Sequence, residues 1–77
     1  DVYALGAVLY ELATGRPVWE LRPGEDEDGL RARVLRGEQP ALRSLGGAAD
    51  AVLARGLDVE PGRRYASSGA LVRDWLG

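Results

Sequence analysis

The chain has 77 residues, of which 45% are apolar and 29% charged, with a formal net charge of -2. That is one small domain or a piece of one, with enough apolar side chain for a core and too much for disorder. The charge balance provides no general attraction to nucleic acid or to anionic membranes, and neither is an expected partner.

The missing residue types narrow the chemistry further. Cysteine, histidine, lysine, asparagine, phenylalanine, isoleucine and methionine are absent, and all 10 basic residues are arginine. GC-rich codon usage accounts for part of this pattern. Without Cys there is no disulfide framework, thiolate nucleophile or thiolate metal site. Without His there is no imidazole base and no His ligand for zinc. No catalytic, cofactor-binding or metal-binding residue is therefore expected in this chain. The longest uncharged, mostly apolar run, Val2 to Tyr10, falls far short of the roughly 20 residues a membrane helix needs. Asp1 opens the chain where a signal peptide would carry a basic region. Membrane insertion is not expected and a cytoplasmic location is. The start on Asp1 rather than Met reads as the product of a cut.

Glycine and proline punctuate the chain into four helical units ending at Gly15, Gly37, Gly56 and Gly77, the first three followed by Pro17, Pro40 and Pro61. Glycine supplies a left-handed position at a helix end, and proline stops the helix from continuing. Helices are predicted at about 2–14, 26–36, 48–57 and 68–76, and no strand pattern occurs. The fold class is all-α.

The first helix carries Val2, Leu5, Val8, Leu9 and Leu12 at helical spacing, with Ala4, Ala7 and Ala13 on the other side. A helix apolar around its circumference belongs inside a protein, and the rest of this chain is too small to surround it. In the second helix, acids at 25–28 precede Arg31, Arg33 and Arg36, which suits the helix dipole, and Glu27 and Arg31 form an i, i+4 pair. Its contact face is predicted to be narrow: Leu30, Val34 and Leu35. The acid run reads as a solvated helix start rather than a cation site. The third helix presents Ala49, Val52, Leu53 and Gly56, and the fourth Leu71, Val72, Trp75 and Leu76, with Ser67 or Ser68 as cap.

The order of these segments resembles the protein kinase family. Asp1-Val2-Tyr3-Ala4-Leu5-Gly6, continuing through Tyr10-Glu11-Leu12-Ala13-Thr14-Gly15-Arg16-Pro17, resembles the central helix of the kinase large lobe. Glu60-Pro61-Gly62-Arg63-Arg64 resembles the acid-Pro-x-x-Arg segment between that lobe's last two helices. Arg36-Gly37-Glu38-Gln39-Pro40 looks like bacterial serine/threonine members, and the second helix falls where the family is variable. The likeness runs over essentially the whole chain. Val18, Trp19, Glu60 and Ala70 depart from the usual Pro, Phe, Asp and Glu, and none of them touches chemistry.

The resemblance implies a partial kinase domain: four helices matching the C-terminal helices of the large lobe. Its parent would transfer the γ-phosphoryl group of ATP, with Mg, to Ser or Thr of protein substrates. The Gly-rich phosphate loop, its Lys, the catalytic Asp and Asn, and the Ala-Pro-Glu motif are all missing from these residues. The chain would supply scaffold and substrate-docking surface, partnered by the catalytic loop and activation segment. A pseudokinase remnant and an independent helical interaction module are the alternatives. Net charge, the lack of Lys and the absence of a basic recognition helix argue against DNA binding.

The same resemblance assigns structural roles. Asp1 would accept hydrogen bonds from the catalytic-loop backbone, although any Asp here also serves as a helix cap. Gly6 belongs to the motif. Val8 and Leu12, four apart, would anchor the hydrophobic stack beneath the adenine, and periodicity alone reads them as core. Arg64, rather than its neighbour Arg63, would pair with the Glu of the Ala-Pro-Glu motif. Ser67 and Ser68 read as caps rather than phosphoacceptors.

Overall fold

The structure, a computed structural model, describes residues Asp1–Gly77. Its elements are α1 (Val2–Thr14), α2 (Glu27–Leu35), α3 (Ala48–Gly56), a 3-10 turn (Pro61–Arg63) and α4 (Ser68–Leu76), with no strand. The fold is all-α, and α2 is one residue shorter at each end than the sequence suggests.

Each helix start follows from a local side chain. Asp1, Asp26 and Ser67 accept the N–H of Ala4, Gly29 and Ala70 at 3.1, 2.8 and 3.1 Å, satisfying one of the amides a helix start leaves unpaired. Ser67, not Ser68, is therefore the cap of α4. α3 starts from Gly47 without a side-chain cap. Asp50 instead ties the preceding loop to the helix, accepting from Ser44 Oγ and Leu45 N at 2.6 Å each.

Gly15 ends α1 in the left-handed region at φ 72° and Gly37 follows α2 at φ 77°, as helix-closing glycines do. Gly56 departs from that expectation. It is the last helical residue of α3, and Leu57 caps the helix at φ -105°. The position requires glycine for space: a Cβ there would lie 2.8 Å from Leu71 Cδ1.

The helices α1, α3 and α4 pack pairwise, and α2 stands outside the trio. Tyr10, Leu53 and Leu57 form one core cluster, and Val52, Tyr65 and Leu71 another. Leu9 and Trp75 pack against both. Only 9 of 77 residues are buried, so the interior is a thin seam rather than a ball. Polar ties reinforce it. Tyr10, 1% exposed, accepts the Arg43 N–H on its hydroxyl at 2.8 Å. Tyr65 donates to Asp74 Oδ2 at 3.1 Å, and Arg55 lies 4.2 Å over its ring.

Two expected apolar faces are only half used. On α4, Leu71 is fully buried, whereas Val72 and Leu76 are exposed. On α2, Val34 and Leu35 are exposed, and the buried residue is Arg33.

Candidate functional site

Beside the start of α1, a loop and two aromatic rings fix an arginine. Arg64 follows the 3-10 turn, and its Nε donates to the Asp58 carbonyl at 2.6 Å. Its guanidinium carbon sits 4.7 Å over the Tyr3 ring, within cation–π range. The Tyr3 hydroxyl accepts from Trp19 Nε1 at 2.9 Å. The loop that carries Arg64 is braced in turn. Asp58 Oδ1 accepts from Glu60 N at 2.9 Å and from Gln39 Nε2 at 3.1 Å. These two bonds, the Glu60 amide foremost, hold the Asp58 carboxyl below its ordinary range. The two terminal amino groups of Arg64 make no hydrogen bond or ion pair in the chain. The half-buried guanidinium thus has two amino groups, with four N–H donors, left for a planar acceptor. Arg63 is exposed.

The other motif residues lie along α1. Asp1, exposed, caps the helix through Ala4. Gly6, buried, lets Leu57 approach: an added Cβ would sit 3.3 Å from Leu57 Cδ2. Val8 and Leu12 are 53% and 78% exposed, which corrects the reading of them as core of this chain. They share a face with Ala4 and Glu11, while Gly6 and Tyr10 turn toward α3. Apart from Glu11 the helix is apolar on both sides, and it is covered on one.

A third feature was missed in the sequence. Arg33 projects from α2 toward the preceding loop, where Nε and Nη2 donate to the two carboxylate oxygens of Glu25 at 2.7 Å each. Nη2 also donates to the Glu20 carbonyl at 2.8 Å, and the guanidinium lies 5.8 Å from the Trp19 ring. The Arg33 hydrogen bonds hold the Glu25 carboxyl down at about 2, helped by the Arg22 N–H, and Glu25 raises Arg33 in return. Arg31 meets Asp28 at 3.8 Å rather than the expected Glu27. Dipole reasoning treats Arg31, Arg33 and the capping Arg36 alike, and nothing in the helical spacing singles out Arg33.

Nothing in these elements fits ATP or Mg. No group of three or more His, Cys, Asp or Glu residues could hold a metal ion, and there is no Lys and no G-x-G-x-x-G loop to cradle phosphates. No helix is long and apolar enough to cross a membrane.

Comparison with known proteins leads to the kinases. The chain resembles a part of serine/threonine kinases. It is 40% identical over 75 residues to the serine/threonine-protein kinase PknH of Mycobacterium tuberculosis (strain ATCC 25618 / H37Rv) and of Mycobacterium bovis, matching 92% of this chain and 12% of each relative. It is 30% identical over 81 residues to a Caenorhabditis elegans protein named for ribosomal protein S6 kinase alpha-1, matching 100% of this chain and 10% of that one. The chain spans about a tenth of the length of the curated relatives it matches. No family model and no solved structure matches it. The similarity supports a kinase-derived segment.

Proposed function

We propose that residues 1–77 form the C-terminal part of the large lobe of a bacterial-type serine/threonine protein kinase. The parent polypeptide transfers the γ-phosphoryl group of ATP, with Mg, to Ser or Thr of protein substrates in the cytoplasm. This segment performs none of that chemistry. It is scaffold, with substrate-docking surface on its outer face.

One observation carries the reading. A helix apolar around its circumference leaves Val8 and Leu12 exposed, so α1 is built for more cover than these residues provide. In the parent, Val8 and Leu12 receive the apolar stack of the nucleotide site, and Gly6 admits Leu57. The Asp1 carboxylate, now spent on Ala4 N, also accepts from the catalytic-loop backbone. Arg64 offers its two free amino groups to the activation-segment Glu, a bidentate geometry that Lys cannot reproduce.

Calorimetric titration with Mg-ATP, paired with a peptide phosphorylation assay, tests this. The parent polypeptide is expected to bind and transfer phosphate, and the 77-residue chain to do neither. Saturable micromolar binding with turnover by the chain alone would overturn the reading. A parent that lacks a phosphate-binding Lys and a catalytic Asp would make it a pseudokinase.

A further inference from the structure

Between the α1–α2 connection, α2 and the segment after it lies an open cleft of about 290 Å³. Val18, Trp19, Leu21, Pro23 and Ala41 supply its apolar lining. Its depth is rigid: Trp19 is anchored on the Tyr3 hydroxyl, and Arg33 is locked between Glu25 and the Glu20 carbonyl.

Around this cleft cations outnumber the carboxylates available to them. Arg33 is neutralised by Glu25. Arg22, on the lining, must share Glu38 with Arg36, at 3.4 and 3.1 Å. Arg43, also on the lining, has no ion pair, yet its main chain is pinned by the 2.8 Å bond to the Tyr10 hydroxyl. Glu20 is the sole acid of the lining, and its carboxylate lies 3.6 Å from Arg16. Asp26 is engaged as the α2 cap, and Asp28 faces Arg31. Two guanidinium groups, one free and one half-satisfied, therefore flank an apolar slot that has a fixed aromatic wall.

We propose that this cleft docks an acidic peptide segment of a partner protein, in which a bulky apolar side chain lies beside carboxylates. The apolar side chain enters against Trp19 and Pro23, and the carboxylates meet Arg43 and Arg22 at the rim. A net charge of -2 over the chain disfavours long polyanions, whereas a short acidic motif feels mainly the local cations. The inference stands on these side chains and does not depend on the parent being a kinase.

Fluorescence anisotropy with a fluorescein-labelled Glu-Glu-Leu-Glu-Glu peptide, titrated with the full-length parent polypeptide, tests it. Both rim arginines are exposed, so Arg22→Gln and Arg43→Gln should leave the fold intact, as far-UV circular dichroism will verify. Saturable binding is expected at low salt, weakened about fivefold by each substitution and unchanged by Arg73→Gln on the exposed side of α4. Peptides with Gln for Glu, or Ala for Leu, should bind more weakly than the parent peptide. No saturable binding would overturn the proposal. So would a double Arg22→Gln, Arg43→Gln variant that binds as the unmodified protein does, or equal competition by a single-stranded oligonucleotide.

Discussion

Arg33 and Glu25 meet through two charge-assisted hydrogen bonds of 2.7 Å, and this contact fastens α2 to the loop before it. Apolar packing of α2 is sparse beside it: Leu30 is half-buried, and Val34 and Leu35 face solvent. Arg33→Lys forfeits the forked geometry, and Glu25→Gln removes the charge. Either change is expected to lower hydrogen-exchange protection of the α2 amides about tenfold while leaving α1, α3 and α4 within about twofold. Uniform loss across all four helices would show that α2 is integral to the trio.

The same contact sets an acid limit. Glu25 falls from its ordinary 4.5 to about 2 in the folded chain, so its contribution is complete above about pH 4.5. It fades as pH drops from there through about 2, and it is gone only below that, where both states are protonated. Asp50 and Asp58 are shifted in the same direction, Asp50 chiefly by Ser44 and Asp58 chiefly by the Glu60 amide. Helicity is therefore expected to hold at pH 5 and to decline over that acid window. Glu25→Gln should flatten part of the decline when circular dichroism is followed against pH.

Two glycines in helices should respond to alanine with opposite signs. At Gly56 the new methyl would sit 2.8 Å from Leu71 Cδ1, and Leu71 is fully buried with nowhere to move. Gly56→Ala is expected to destabilise by about 1–3 kcal/mol. At Gly69, exposed in the first turn of α4, the nearest atom would be 3.9 Å away. Gly69→Ala should stabilise by about 0.5–1 kcal/mol. Urea unfolding of the two variants beside the unmodified chain reads both.

In the parent polypeptide, Arg64→Ala is expected to lower the melting temperature by several degrees and to reduce peptide phosphorylation, with Arg64→Lys intermediate. Arg63→Ala should shift melting by no more than about a degree, as is usual for an exposed substitution. If the damage follows Arg63 instead, Arg64 is not the residue that meets the activation-segment Glu.

The uncovered side of α1 makes a prediction that changes sign with context. In the 77-residue chain, Val8→Gln with Leu12→Gln is expected to reduce both ANS fluorescence and self-association, because it removes exposed apolar surface. In the parent the same pair should destabilise by more than about 3 kcal/mol, since both side chains are then buried. A cooperative melt of the unmodified 77-residue monomer, without ANS binding, would favour an independent helical module.

Helix ends were readable from the sequence because caps and glycine stops are local: Asp1, Ser67 and Gly15 act within a turn of themselves. The apolar circumference of α1 was also readable. Which side of it is covered was not, because periodicity assigns Val8 and Tyr10 to different faces without saying where α3 lies. Gly56 does end α3, but it was misread as a left-handed stop, because a glycine needed for space and one needed for φ look identical until Leu71 is placed. Arg33 was hidden more deeply. Its burial depends on a carboxylate eight residues earlier folding back onto it, and no helical pattern records that. Arg64 was singled out by its place after Pro61, while its setting over Tyr3 required the tertiary fold.

The bond from the Arg43 amide to the Tyr10 hydroxyl has a topological consequence. It clips together two points 33 residues apart, one just before the end of α1 and one just ahead of α3. Everything between them, α2 included, is an excursion whose two feet are tethered at the core. Lengthening a tethered excursion costs only slowly growing closure entropy. Insertions and deletions can therefore accumulate between Pro17 and Pro40, and new recognition surfaces can be tried there, while the three packed helices keep their register.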